Sequence, residues 1–418
     1  MKVKKINNIN VLLNNTKQFH ENMISIVFRM PLTKENITGA FLLSEIIDAT
    51  NEEYKTKREL NIALKKLYGT RLNVDVETIG NYRIIKIKIR YVNDLVNEYN
   101  LLEPSLKLLA SFFTNPNIKN GKWNKKVFDS AKAQVKNDII TIKEDTALYA
   151  LNLASQMIGK GSIFEAQMYG EIDELKKFNR ENIVTNFNKL LKESEVTIIG
   201  TGYFNEDKYY SLIKEYFNEF NDVKFKLPLV FKNDEYQDKF KQKNELADVN
   251  QTRLVVGYKI KPMTKFESQY VLPCLNGIFG VPFQDSKLWN KIRKDNGLAY
   301  DISSLVNASR HNLFVDAGID SKNAVKTIEL VEQSLVEVKQ GEFTKAQMNA
   351  AITAYINRID RINDNISSLN TAEYLQLIWF PDDAKTKKEK IKKVTKEDIV
   401  KLAKKCVPDS ILVLGGKL

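Results

Sequence analysis

The segment with the clearest chemical potential is 286–304, SKLWNKIRKDNGLAYDISS. Its apolar residues at helical spacing predict a helix that carries Arg293 outward, and Asn296-Gly297 predicts the end of that helix. An extended segment follows from Leu298, so that Arg293 and Tyr300 flank one turn. Because a guanidinium and a phenol can both donate hydrogen bonds to one carbonyl oxygen, this pair is suited to stabilise an oxyanion.

This R-x-x-x-G-L-A-Y pattern resembles the signature that the insulinase, or pitrilysin, family of zinc metallopeptidases carries in its second half. The preceding NGIFG at 276–280 is similar to the glycine-rich segment of that family, and the resemblance extends more weakly over nearly the whole chain. The opening strands, the ALKKLYGTRLNVDVE segment and RKDNGLAY most closely resemble bacterial members associated with modification of elongation factor P. That resemblance implies a cytoplasmic location and a homologous partner chain.

The zinc motif of the family's catalytic members, H-x-x-E-H on the first long helix, is missing from this sequence. The corresponding stretch, GAFLLSEIIDA at 39–49, has Glu45 and Asp48 but no histidine. The family's third ligand, a glutamate, would fall near Asn137 or Asp138. Because a catalytic zinc typically needs three protein ligands, we expect no metal and no other cofactor in this chain. The resemblance places the zinc in the partner chain instead.

Other catalytic routes have little support in the sequence. His20 and His311 lie in polar loop or turn sequences, where solvated side chains are expected more often than metal ligands. Cys274 and Cys406 belong to no C-x-x-C pair, which favours buried thiols over a disulfide or a metal site. Neither a G-x-S-x-G elbow nor a P-loop occurs.

Composition bounds the class of protein. With 418 residues, of which 43% are hydrophobic, the chain can form two or more globular domains. Its formal charge of +12 is spread over every predicted helix beside 52 acidic residues, so we expect no nucleic-acid partner. No apolar run approaches the roughly 20 residues that span a bilayer, and the first residues lack the core of a signal peptide. We therefore expect no membrane partner.

Runs of strands followed by runs of helices occur twice along the chain. This order predicts an α+β fold of two tandem related domains, each a mainly antiparallel sheet covered by helices. Hairpin 71–92 in the first half corresponds to 298–319 in the second, and strand 196–200 corresponds to 410–414. We expect the domains to span 1–222 and 249–418, with 223–248 as a linker.

One strand of the first hairpin, 83–92, alternates isoleucines with basic residues. Ile85, Ile87 and Ile89 alternate with Lys86 and Lys88, a period of two that predicts one buried face. We expect the lysine face of this strand to be wet.

A chain that lacks the zinc motif but keeps the Arg–Tyr pair fits one half of a composite site. In the family this pair comes from the half opposite the zinc and reaches the substrate carbonyl. The resemblance therefore implies a non-catalytic subunit of a heterodimeric zinc peptidase, in which Arg293 and Tyr300 act in trans on a peptide held by the homologous zinc-bearing partner.

Gly277, Gly280 and Asn296 are further candidates for binding the substrate. Glycine lets a loop approach a peptide backbone closely, although an ordinary helix C-terminus followed by a turn explains the two glycines equally well. From residue types alone, Arg293 and Tyr300 also fit a surface arginine and a hairpin-core tyrosine.

Two other functions stay open from the sequence. The first is a catalytically inert scaffold or interaction protein with the peptidase fold, like the core subunits of the respiratory bc1 complex. The second is an autonomous enzyme with unconventional metal ligands.

Overall fold

A computed structural model of the chain describes residues 3–6, 8–218, 220, 240–247, 249, 251–280 and 285–415. Most of the predicted linker, 223–248, lies outside these ranges, although Lys241–Glu245 forms a strand. The strands are β1 Val3–Ile6, β2 Ile9–Asn15, β3 Glu21–Pro31, β4 Arg71–Ile79, β5 Tyr82–Val92, β6 Ile118–Lys119, β7 Lys122–Trp123, β8 Glu195–Gly202, β9 Lys241–Glu245, β10 Thr252–Ile260, β11 Ala299–Asn307, β12 Asn312–Ile319 and β13 Cys406–Leu414.

Helices occupy most of the remaining described residues. The α-helices are α1 Lys34–Ala49, α2 Lys57–Lys66, α3 Leu102–Thr114, α4 Lys125–Thr141, α5 Thr146–Ile158, α6 Ile172–Lys177, α7 Asn182–Glu193, α8 Glu206–Tyr216, α9 Leu272–Phe279, α10 Ala324–Gln340, α11 Lys345–Asn363, α12 Ile366–Ile378, α13 Ala384–Ile391 and α14 Lys396–Ala403. Two π-helical segments, Glu267–Val271 and Trp289–Lys294, precede α9 and β11 respectively.

The two larger sheets in the described part of the chain repeat one topology. The first has the order β1-β2-β8-β3-β5-β4, and the second has the order β11-β12-β10-β13-β9. Read from opposite ends, β2-β8-β3-β5-β4 matches β9-β13-β10-β12-β11. In each sheet one parallel pair, β2 with β8 and β9 with β13, stands beside antiparallel pairs. The predicted α+β fold of two related, mainly antiparallel halves is confirmed.

The chain divides into two compact units that do not follow its order. The first comprises 1–140, 168–230 and 362–379, and the second comprises 141–167, 231–361 and 380–418. Helix α5 therefore belongs to the second unit, where it packs on β10 and β13, whereas α12 belongs to the first unit and packs on β8 and β3. Each half of the chain thus supplies one helix to the other half's sheet. The domain boundaries at 222 and 249 stay a prediction.

Helix α12 covers the face of the first sheet that points away from the main core of that unit. The main core packs α1, α3, α7 and α8 against the opposite face. Beneath α12, Tyr374 and Ile378 lie in one apolar cluster with four sheet residues, Leu12, Val27, Ile84 and Ile199. The sheet is therefore buried on both faces at its centre.

The predicted wet face of β5 is wrong at Lys86, which is only 3% exposed. Its Nζ donates a hydrogen bond to Oγ1 of Thr371, on α12, at 2.7 Å. Burial lowers the pKa of Lys86 to about 8. Lys88 is only partly buried, so the prediction fails where the helix lies over the strand. The alternation of isoleucine with lysine in β5 could not predict this burial, because the covering helix α12 lies far along the chain.

Glu373, also on α12, makes the stability of the first unit depend on pH. It is buried, and it accepts hydrogen bonds from Thr201 Oγ1 at 2.8 Å and from Asn14 Nδ2. Burial raises the pKa of Glu373 from 4.5 to about 7. A raised pKa favours the protonated acid in the folded state, so the stability that Glu373 contributes is complete below about pH 4.5 and is lost as the pH rises through about 7.

We therefore expect the free energy of unfolding to fall by about 1–3 kcal/mol between pH 5 and pH 8. Lys86 affects stability at a higher pH. Because its pKa is lowered in the folded state, the free energy of unfolding rises as the pH increases from about 8 towards 10.5. Urea unfolding at several pH values measures both effects. Glu373→Gln should flatten the profile between pH 5 and pH 8, and an unchanged slope in that variant would assign the dependence to other groups.

Candidate functional site

The helix that carries Arg293 is anchored to the second unit on two sides. Leu288 and Ile292 are fully buried in the core of that unit. On another side, Lys287 Nζ lies 2.8 Å from Glu337 on α10, and Lys291 pairs with the same carboxylate. Two buried apolar residues and a doubly paired glutamate therefore fix the position of this helix on its unit.

The helix ends in a tight turn before β11. Its last part is π-helical, since the N–H of Asp295 donates to the carbonyl oxygen of Asn290, five residues earlier, at 2.9 Å. Gly297 then takes a left-handed conformation with φ of 62°, which glycine adopts at no steric cost. Asn296 Nδ2 donates to the carbonyl oxygen of Lys291 at 2.6 Å. In this structure Asn296 stabilises the helix end, and its contact with a substrate stays a prediction.

Arg293 is exposed at this helix end. Its guanidinium carbon lies 4.3 Å from the ring centroid of Trp289, one turn earlier, which is a cation–π arrangement. Lys287 and Lys291 share the carboxylate of Glu337, whereas the guanidinium of Arg293 makes no hydrogen bond or ion pair with any residue that the structure describes. Its donors are therefore available to an acceptor from outside the chain.

Tyr300 stands in solvent on the other side of the turn. It is 62% exposed, and its hydroxyl donates to Oδ1 of Asp320 over 3.5 Å, which is long for a hydrogen bond. Neither Tyr300 nor Arg293 is packed into the interior. Both groups therefore have the exposure that contact with a substrate requires, and their role in catalysis stays a prediction.

The two glycines of the candidate site are buried in the second unit. Gly277 lies within α9, and Gly280 follows its last residue. The carbonyl oxygen of Gly280 accepts the N–H of Ser304, on β11, at 2.8 Å, and Ser304 Oγ donates to Asn276 Oδ1 at 2.7 Å. The close backbone approach expected of Gly280 is thus made here to the chain's own strand. Binding of a substrate by either glycine stays a prediction.

Gly280→Ala should destabilise the protein by about 1–3 kcal/mol, because a Cβ there would lie 2.7 Å from Ser304 Oγ and closer still to Leu288. Gly297→Ala is the matched control. A Cβ at that position meets nothing within 4 Å, so only the left-handed φ opposes alanine, at a cost of about 1 kcal/mol. Urea denaturation compares the two, and equal losses would contradict the packing role of Gly280.

Helix α1 corresponds to the helix that carries the zinc motif in the family, and its acidic residues interact with other charged residues of this chain. Asp48 pairs with Lys57 at 2.7 Å. Burial raises the pKa of Glu45, Lys57 lowers it, and the negative charges of Asp48 and of Asp138 on α4 raise it further. Asp138 thus lies near α1, as the sequence comparison with the family implies. Across the described ranges, no three His, Cys, Asp or Glu side chains converge in a way that could hold a metal ion.

The two histidines differ in their surroundings. His20 is exposed, whereas His311 is half-buried in the β11–β12 turn with φ of 52°. Burial and the nearby Lys405 lower the pKa of His311, which disfavours its charged form. The expectation that His311 is solvated is therefore only partly right. Among the described helices, none is long and apolar enough to cross a membrane.

Sequence reasoning did not assign Trp289, Asp320 or Glu337 to the site. Trp289 precedes Arg293 by four residues, a spacing that predicts contact on a helix and could have suggested their stacking. Asp320 and Glu337 lie after the hairpin, and no local pattern places them near Tyr300 or the lysines.

Comparisons with known proteins agree with this fold. Residues 177–355 match the model of the Peptidase M16 inactive domain. The chain is 24% identical over 402 residues to the probable inactive metalloprotease YmfF of Bacillus subtilis (strain 168), a match that covers 94% of this chain and 93% of that protein.

Solved structures share the fold over the whole chain. A conserved protein from Enterococcus faecalis V583 superposes with a TM-score of 0.90 at 24% identity, covering 100% of this chain and 98% of the other. A chain of complex III2 from Candida albicans gives a TM-score of 0.75 at 12% identity, covering 99% and 94%. The family resemblance predicted from the sequence is confirmed: part of the chain matches the Peptidase M16 inactive domain, and nearly the whole chain is similar to a probable inactive metalloprotease.

Proposed function

We propose that this chain is the non-catalytic subunit of a heterodimeric zinc peptidase and lends Arg293 and Tyr300 to a site on a homologous partner. The observation that supports the proposal is that both side chains are exposed and available to donate hydrogen bonds to a substrate. The guanidinium of Arg293 has no hydrogen-bond partner among the described residues, and Tyr300 is 62% exposed, with its hydroxyl in only a long bond to Asp320. Arg293 lies at the end of the anchored helix, and Tyr300 lies in β11 after the turn.

The division of chemistry between the two chains is physically coherent. Zinc on the partner would supply the activated water, as it does in metallopeptidases generally. Arg293 would donate from its planar fork to the scissile carbonyl oxygen, and the Tyr300 hydroxyl would donate to the same atom. As negative charge develops on that oxygen, both hydrogen bonds strengthen, which is the behaviour that lowers a barrier rather than only binding the substrate.

Reconstitution tests the proposal. The chain is co-expressed with a homologue from the same genome that carries H-x-x-E-H, and each chain is also purified alone. We expect peptide cleavage only from the pair, with about one zinc per heterodimer and none in this chain. Zinc-dependent cleavage by this chain alone would exclude the proposal, and so would a homologue that is fully active without it.

A scaffold without a part in hydrolysis is the second candidate. It is supported by the full-length likeness to a chain of complex III2 and by the likeness to a probable inactive metalloprotease. For that function the Arg–Tyr turn has no role, so replacing either residue should leave assembly intact. The exposed and unpaired state of Arg293 favours the composite peptidase. Cytoplasmic location, the peptide substrate and the relation to elongation factor P modification belong to the same proposal.

A further inference from the structure

We propose that Trp289 is a positioning residue that holds the Arg293 guanidinium in its working orientation. The effect of that orientation on catalysis rests on the proposed function. The stacking of Arg293 on Trp289 does not depend on that function. The guanidinium carbon lies 4.3 Å from the centroid of the indole ring, within the distance at which a cation is attracted to an aromatic face. Arginine also stacks its planar fork on such rings, so that its edge donors stay free.

The spacing of the two residues brings their side chains together. Trp289 and Arg293 are four residues apart on one helical segment, and side chains at that separation lie on the same face of a helix. The segment is π-helical, and short π-helical insertions occur frequently at functional sites.

Ion pairing distinguishes Arg293 from Lys287 and Lys291 on the same helix. Lys287 and Lys291 share the carboxylate of Glu337, which neutralises part of their charge and fixes the helix. Trp289 is a neutral ring, so it can orient Arg293 without occupying a donor or cancelling the charge. A carboxylate in the same place would compete with the substrate oxygen for the guanidinium. Holding a long side chain in advance also reduces the conformational entropy lost on binding.

The stacking itself is tested on the isolated full chain by NMR with labelled arginine. The ring current of Trp289 should shift the Cδ–Hδ signal of Arg293 upfield from that of a solvated arginine, and Arg293→Lys identifies the signal by its loss. Trp289→Leu should abolish the shift, and Trp289→Phe should keep part of it. An unchanged signal in Trp289→Leu would overturn the proposal without reference to any activity.

The effect of Trp289 on turnover is tested with the reconstituted pair of chains. Trp289→Leu should lower turnover about two- to fivefold, the scale of an exposed cation–π contact, and Trp289→Phe should restore most of the loss. In an Arg293→Ala background, Trp289→Leu should cost nothing further, because it acts through the arginine. An equal loss in both backgrounds would overturn the positioning role. If Arg293→Ala alone keeps full turnover, the composite-site proposal fails, and the NMR result still decides the stacking.

Discussion

Arg293→Ala is expected to lower kcat of the reconstituted pair by ~10²–10³ while the zinc content of the complex stays unchanged. The guanidinium is exposed, has no hydrogen-bond or ion-pair partner among the described residues, and is held on an anchored helix, so its removal takes away a donor without disturbing a packed core. Loss of one preorganised donor to a developing oxyanion typically has an effect of this size. Steady-state turnover of a peptide substrate, with metal analysis of the same sample, measures both quantities.

Several variants separate catalysis from charge and packing. Lys294→Ala removes the neighbouring exposed positive charge and should leave kcat within about a factor of two. Arg293→Lys should recover only part of the rate, because an ammonium lacks the planar fork. Tyr300→Phe removes one hydroxyl and should act in the same direction as Arg293→Ala. Unaltered kcat in both Arg293→Ala and Tyr300→Phe would show that the turn is only structural.

The sequence predicted those parts of the fold whose pattern is local. The strand β5 and the glycine turn before β11 both follow from periodicity and turn residues over short windows. The duplication was readable for the same reason, since equivalent elements return in the same order. Arg293 and Tyr300 could be placed on either side of one turn because they are only seven positions apart in the sequence.

What the sequence could not reveal depends on contacts between distant segments. Helix α3 starts only at Leu102, because Asn93 and Asn97 hold the preceding residues in turns through side-chain bonds to the backbone. Strand β9 has the composition KQKNE, which lacks a strand pattern, and it is ordered by pairing with β13. Helix α5 packs on the sheet of the second half of the chain, and α12 packs on the sheet of the first half. No local sequence pattern predicts either contact.

The second large expected effect is on stability, and it concerns the packing of α12 on the first sheet. Tyr374→Ala is expected to reduce the free energy of unfolding by about 3–5 kcal/mol. The ring is 1% exposed and packs in the cluster with Leu12, Val27, Ile84 and Ile199, so its removal leaves a cavity that the sheet cannot close. Because these partners lie in the first half of the chain, the loss measures how strongly α12 holds to that sheet. Urea unfolding followed by circular dichroism gives the value.

Two substitutions on the same helix distinguish ring packing from other causes. The Tyr374 hydroxyl is buried and has no hydrogen-bond partner among the described residues, so Tyr374→Phe keeps the packing and should change stability by less than about 1 kcal/mol in either direction. Ser368 is exposed, and Ser368→Ala should stay within about 0.5 kcal/mol. A loss below about 1 kcal/mol for Tyr374→Ala would mean that α12 is not docked on this sheet in solution. The large loss together with neutral controls would instead make the helix part of the first unit's cooperative core, so that residues 362–379 could not be removed without unfolding a unit built mostly from the other half of the chain.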